Sequence, residues 1–265
     1  MLVGSETERP THLHTPRLLG VKTLTACWMA WRVSTHLLWG AVLGRLLVPR
    51  LSKQQRDERL QKWARKMLNR LGVELKIVGA PAQAGPMLLV SNHVSWVDIL
   101  ALYVACPCRF VSKADVERWP LVGALATGAG ALFMRRESRR DAMRIVHRMT
   151  KALKDGDILA VFPEGTTSDG SSVLPFHSSL IQAAISADAP VQPAALQILN
   201  SESGESSRAI SYIADDSLVG SIWRTLCARQ LCAVVTFGAP QVAGGRDRRA
   251  WAQDLRGEIV AIRQR

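Results

Sequence analysis

From residue 73 onward, short runs of Val, Ile and Leu alternate with longer stretches of helical periodicity, and no other feature of the chain restricts its fold so strongly. Strands that alternate with helices pair into a sheet whose crossover helices cover its faces. The pattern therefore predicts an α/β fold, a mixed and partly parallel sheet flanked by helices. The expected strands are Val73–Val78, Met87–Ser91, Arg109–Ser112, Leu132–Arg135, Ile158–Phe162, Val191–Leu199, Ala209–Ala214 and Cys232–Phe237. The expected helices are Trp96–Ala105, Arg118–Thr127, Ser138–Asp155, Ser178–Ala187, Leu218–Arg229 and Arg246–Arg263. Residues 200–207, rich in Ser, Glu and Gly, read as a surface loop.

Residues 73–265 thus form one α/β domain, and two segments precede it. Residues 1–17 are polar, carry Pro10 and Pro16, and read as a disordered lead. They lack the basic start, apolar run and small-residue cleavage site of a secretory signal. Residues 18–72 read as membrane-associated amphipathic helices. The first part, 18–48, is apolar but interrupted by Lys22, Arg32, His36 and Arg45. Its longest stretch free of Lys and Arg falls short of the roughly 20 residues a spanning helix needs. Trp28, Trp31 and Trp39 favour the headgroup level, so the expectation is helix lying in one leaflet. A single membrane-spanning helix carrying one arginine, and an ordinary buried helix, are the competing readings. Residues 53–70 place Leu60, Trp63, Met67 and Leu71 on one helical face. Lys53, Arg56, Arg59, Lys62, Arg65, Lys66 and Arg70 stand against only Asp57 and Glu58. Such a helix suits an anionic membrane surface, or equally a solvated charged face over a protein core.

The net charge of +12 asks for an anionic partner. Nucleic acid is excluded as the favoured one, because neither zinc-finger spacing nor an aromatic RNA-binding signature is present. Five cysteines with no Cys-x-x-Cys pair argue against a disulfide framework and a structural zinc site.

Three places in the domain could carry chemistry. Asn92-His93 follows an apolar run, and Asp98 stands five residues after the histidine. A carboxylate that fixes the tautomer of an imidazole makes it a general base. In a continuous helix five residues turn the chain about 500°, so the pair can meet only with His93 in a strand-to-helix loop and Asp98 in the first helical turn. Ser95-Trp96-Val97-Asp98 also fits a capping box, which gives Asp98 a purely structural alternative. The second place is Phe162-Pro163-Glu164-Gly165-Thr166-Thr167-Ser168-Asp169-Gly170. It is a strand end followed by a turn rich in hydroxyls and backbone donors, where Gly165 permits close approach of a ligand. The third is Gly130 to Arg136 with Ser112-Lys113 ahead of it, since an arginine at a strand end can grip a phosphate. Residues 135–154 hold eight Lys and Arg against Glu137 and Asp141, enough to dock an acidic carrier protein or lipid headgroups, or to form a solvated basic helix. A serine hydrolase would need a Gly-x-Ser-x-Gly elbow, which is absent.

The order of these blocks, completed by Val191-x-Pro193, resembles the four-block signature of the lysophospholipid acyltransferase family, in which the bacterial 1-acylglycerol-3-phosphate acyltransferases belong. The resemblance spans roughly residues 70–200. It implies a glycerolipid acyltransferase-like α/β fold with its site at strand ends and an N-terminal membrane-associated helical part. It implies His93 as general base, Asp98 as its orienting carboxylate, and Arg135, Glu164, Gly165 and Thr166 around the acceptor headgroup, with Lys113 joining them. The partners implied are membrane lipids and an acyl thioester of coenzyme A or acyl carrier protein as co-substrate. No metal or cofactor is implied, and the place implied is the cytoplasmic face of the inner membrane. The family usually reads Phe-Pro-Glu-Gly-Thr-Arg-Ser; here Thr167 replaces that arginine. Glu164-Gly165-Thr166 followed by Asp169-Gly170 and Val173-Leu174-Pro175-Phe176 looks like the block of bacterial lyso-ornithine lipid acyltransferases, whose acceptor has no phosphate. A catalytically inactive membrane-binding module is the alternative of another class.

Overall fold

The structure is a computed structural model that describes residues 23–135, 138–212, 216–228 and 230–264. The expected lead, 1–17, lies outside them. Seven strands form one sheet: β1 (Val73–Val78), β2 (Met87–Ser91), β3 (Arg109–Lys113), β4 (Leu132–Met134), β5 (Ile158–Val161), β6 (Val191–Asn200) and β7 (Leu231–Phe237). Their order across the sheet is β1-β7-β6-β2-β5-β3-β4. β2 pairs in parallel with β5 and β6, and β3 in parallel with β5 and β4. β7 runs antiparallel to β6 and carries β1 parallel beside it. The chain therefore leaves β2, β5, β3 and β4 at the same edge, where open α/β sheets bind their ligands.

Nine α-helices accompany the strands among the described residues: α1 (Thr23–Val42), α2 (Lys53–Leu71), α3 (Val97–Ala105), α4 (Ala114–Glu117), α5 (Val122–Gly128), α6 (Arg139–Lys154), α7 (Gln182–Ala187), α8 (Leu218–Cys227) and α9 (Arg248–Arg263). Two apolar cores sit on opposite faces of the sheet, and β2 divides itself between them at period two. Met87 and Leu89 face the layer that holds α2 and α3, while Leu88 and Val90 face α6, α7 and α9. All five β2 residues are buried, as a central parallel strand covered on both faces requires.

α2 starts with a complete capping box: Gln55 N–H donates to Ser52 Oγ and Ser52 N–H donates to Gln55 Oε1. Its apolar side, Leu60, Ala64, Met67, Leu68 and Leu71, is buried in the same core as Leu89 and Leu196. The basic side chains of α2 thus cover a protein core. α1 lies against α2, and His36 stacks on Trp63 at 5.3 Å. Among the described residues no helix is long and apolar enough to cross a membrane. Over the described part of the 18–48 segment, 23–48, Arg32, His36 and Arg45 interrupt the apolar run.

Two further expectations change. The helix predicted over Arg118–Thr127 is cut, because Pro120 has no N–H to give and Leu121 takes a left-handed φ of 67° before α5 starts at Val122. The strand predicted from Ala209 does not form over 209–212. That backbone bonds across the sheet edge instead, with Tyr212 N–H donating to Val94 O at 3.3 Å.

Candidate active site

β2 ends at Ser91 and the chain turns through Asn92 and His93 before α3 begins. Asn92 fixes the exit from the strand. Its amide donates to Leu196 O at 2.9 Å, and Leu196 N–H donates to its Oδ1 at 2.7 Å, which staples the loop to β6. His93 lies in the strand-to-helix loop and Asp98 in the first turn of α3. Asp98 Oδ2 collects three donors: His93 Nδ1–H at 2.8 Å, Val94 N–H at 2.6 Å and Ser95 N–H at 2.8 Å. A carboxylate oxygen that receives three donors only accepts, so Nδ1 carries a proton, and in the neutral ring Nε2 is the nitrogen with the lone pair. The capping box expected at Ser95 does not form, because Trp96 is the N-cap of α3 and no side chain caps it. The buried carboxylate instead holds the 93–95 loop and orients His93 in one act.

The loop after β5 holds His93 from the other side. Phe162 stacks on the imidazole with ring centroids 4.0 Å apart and 10° between planes. His93 N–H donates to Glu164 Oε1 at 2.9 Å, and Ser168 N–H donates to His93 O at 2.9 Å. Glu164 Oε2 accepts from Leu174 N–H at 3.3 Å. Burial pushes the Glu164 carboxyl up to about 7; the His93 and Leu174 N–H groups oppose that rise, Asp98 adds to it, and Arg263 draws it down. Gly165 takes φ 74°, a conformation that sets the tight turn after Glu164 and that a side chain would strain.

The structure thus brings Asp98 and Glu164 both onto His93, one at its ring and one at its backbone N–H. Gly165 and exposed Thr166 form the adjoining turn. Lys113 ends β3 and Arg135 directly follows β4, both exposed at the same sheet edge. β3 and β4 lie two and three strands from β2, so roughly 10 and 14 Å of sheet separate them from the histidine strand at about 4.8 Å per strand. Thr167, which stands where the arginine was expected, gives its hydroxyl hydrogen to Tyr212 O.

Two participants escaped the sequence reading. Asn92 was in the quoted motif but without a role; an amide directly after an apolar strand was the available signal. Arg263, in the last turn of α9, bonds Gly170 O and bears electrostatically on Glu164 and Asp169. Nothing in the sequence connects it to residues 164–170, because only the fold brings α9 to that loop.

A carboxylate-oriented imidazole at the strand ends of an α/β sheet has the geometry that general-base chemistry requires. Residues 58–197 match the family described as Acyltransferase. A lyso-ornithine lipid O-acyltransferase from Pseudomonas aeruginosa is 36% identical over 89% of this chain and 86% of that protein. A 1-acyl-sn-glycerol-3-phosphate acyltransferase from Neisseria gonorrhoeae is 36% identical over 70% of this chain and 73% of its own. The crystal structure of the 1-acyl-sn-glycerophosphate acyltransferase PlsC from Thermotoga maritima shares the fold, with a TM-score of 0.68 over 91% of this chain and 95% of that one at 17% identity. The chain belongs to the acyltransferase family, and it is an acyltransferase.

Proposed function

We propose that this enzyme moves a fatty acyl group from a thioester, acyl-ACP or acyl-CoA, to the hydroxyl of a membrane lysolipid, with 1-acyl-sn-glycerol-3-phosphate as acceptor and phosphatidic acid as product. The observation that carries the proposal is the 2.8 Å bond from His93 Nδ1 to Asp98. His93 Nε2 takes the proton from the acceptor hydroxyl. The oxygen attacks the thioester carbonyl, and the tetrahedral oxyanion collapses with loss of the thiolate. That thiolate recovers the proton from the imidazolium. Of the 165–168 turn, the exposed Thr166 is the donor offered to the oxyanion, one such donor contributing about 3–4 kcal/mol in enzymes where it has been removed. Lys113 and Arg135 take the acceptor phosphate, and no covalent acyl-enzyme, metal or cofactor enters the scheme. The enzyme works on the cytoplasmic face of the inner membrane.

Lyso-ornithine lipid is a second acceptor that one observation favours. The Thr167 hydroxyl is bound to Tyr212 O, so residue 167 brings no charge to the headgroup. Purified enzyme offered a labelled acyl donor with lysophosphatidic acid and lyso-ornithine lipid in parallel tests both readings. His93→Ala should lose transfer to either acceptor. Product from neither acceptor, where a control acyltransferase gives product, sinks the proposal.

A further inference from the structure

Large exposed apolar side chains are unevenly spread over the described residues. Trp28, Trp31, Leu38, Trp39 and Val42 are exposed on α1, with Leu46 just beyond it. At about 100° per residue they fall within an arc of roughly 100°, a single stripe opposite the side that α1 buries. α8 lies against α1 and adds two more, Val219 at 77% exposure and Trp223, four residues apart on one face. Neither helix contains an acidic residue. The carboxylate just ahead of α8, Asp216, is paired with Arg224 at 2.7 Å.

The inner side of α8 is tied to the catalytic loop. Ser221, Thr225 and Leu226 are buried, and Trp96 Nε1–H donates to Ser221 Oγ at 3.0 Å. Trp96 directly precedes α3 and stands three residues after His93. The segment leading into α8 also touches both loops of the site, through Tyr212 N–H to Val94 O and Thr167 to Tyr212 O. Whatever the outer face of α8 rests on is therefore linked by short contacts to the general base.

We infer that Val219 and Trp223 form a second lipid-docking contact that enters the headgroup boundary of an anionic bilayer beside the α1 stripe and seats the catalytic loop at the lipid surface. This rests on the reading of the acceptor as a membrane lysolipid. Tryptophan favours that depth. The neighbouring segment from α1 through α2 carries ten Lys and Arg (Arg32, Arg45, Arg50, Lys53, Arg56, Arg59, Lys62, Arg65, Lys66, Arg70) against Asp57 and Glu58. Anionic lipid complements that charge, whereas a second copy of the chain would oppose it with its own.

The test attaches an environment-sensitive fluorophore to Val219→Cys in a Cys27→Ser background, with the same chain lacking the 219 cysteine as control. On vesicles containing phosphatidylglycerol, the probe should shift to shorter wavelength and be quenched by spin-labelled lipid at shallow depth. Val219→Lys with Trp223→Ser should lower partitioning onto those vesicles about tenfold, the scale expected for losing two apolar anchors. A probe that stays in water on vesicles to which the chain has bound overturns the inference. So does a shift that follows protein concentration without lipid, which would mark contact between copies. If the double variant fails to fold, the labelled chain, altered only at exposed sites, still decides. The readout needs no turnover: absent acyl transfer with a lipid-buried probe rejects the proposed activity alone, and intact transfer with a water-exposed probe rejects the docking contact alone.

Discussion

Asp98 separates a structural role from a chemical one in a single pair of substitutions. It is fully buried, its Oδ2 holds three N–H donors, and its Oδ1 has no partner among the described residues. Asp98→Ala strands the backbone N–H groups of Val94 and Ser95 in the interior. At about 1–3 kcal/mol for each unsatisfied donor, those two alone cost roughly 2–6 kcal/mol. Asp98→Asn keeps an oxygen for the three donors and places its NH2 where the unpartnered oxygen stood, so its stability cost is about 1–3 kcal/mol. It removes the negative charge that steadies the imidazolium, while the amide oxygen still accepts from Nδ1–H. Loss of such a carboxylate lowers kcat by as much as about 10⁴-fold in a histidine-based hydrolase, and a fall of 10²-fold or more is expected here. Denaturant unfolding followed by tryptophan fluorescence gives the first quantity, and thiol release during acyl transfer gives the second. Asp98→Asn should be the more stable variant yet remain nearly inactive per folded molecule. Near-normal kcat in Asp98→Asn, or wild-type stability in Asp98→Ala, refutes the reasoning.

Other perturbations test the supports of the site. Glu164 is raised from 4.5 to about 7 by burial, so the folded chain keeps a proton that the unfolded chain has lost. That contribution to stability is complete below pH 4.5 and disappears as the pH climbs through about 7, a fall of up to about 3 kcal/mol at 1.36 kcal/mol per pKa unit. Glu164→Gln should flatten the stability curve between pH 5 and 7.5 relative to wild type; parallel curves would show that Glu164 does not titrate there. Arg263 draws Glu164 downward, so Arg263→Gln should displace the Glu164 titration to higher pH, and in a Glu164→Gln background the same change should leave the pH profile alone. A Cβ on Gly40 would lie 2.3 Å from Trp63 Nε1, so Gly40→Ala should prise α1 from α2 at a cost of about 1–3 kcal/mol, read as a lowered Tm.

The parts of the molecule legible in the sequence are those whose signal is local. β2 could be read to the residue because an apolar run ends at a polar Ser-Asn-His step and both sheet faces need apolar side chains there. α2 could be read because its cap, its apolar stripe and its basic face coincide. The face that stripe serves was not legible: an amphipathic helix looks the same whether it lies on lipid or on a protein core, and only the packing of Leu60, Met67 and Leu71 decides for the core. The His93–Asp98 pair carried its own geometric condition, a loop residue and a first-turn residue, and so could be stated before any coordinates. Glu164 is placed at the headgroup by the family resemblance alone. Its orientation toward His93 N–H and Leu174 N–H depends on how two distant loops are stacked, which no spacing encodes. Arg263 is further still, ninety-three residues from the carbonyl that it bonds.

These contacts also relocate the question of acceptor choice. The 162–170 loop is occupied with its own scaffold: Phe162 against the imidazole, Glu164 and Ser168 on the His93 backbone, Thr167 on Tyr212, Asp169 paired with Arg208. A headgroup phosphate beside the reacting hydroxyl must therefore draw its charge from outside that loop. Among the described residues, Lys113 and Arg135 bring positive charge to this edge, displaced toward β3 and β4. On the proposed reading, an acceptor whose phosphate lies one short linkage from its hydroxyl would lie across β5 toward β3, with the hydroxyl over His93 and the phosphate over Lys113. An acceptor without phosphate is free of that direction. If Lys113 holds that phosphate, Lys113→Met should lower kcat/KM for lysophosphatidic acid far more than for lyso-ornithine lipid in side-by-side assays, while an equal loss on both would put the headgroup elsewhere.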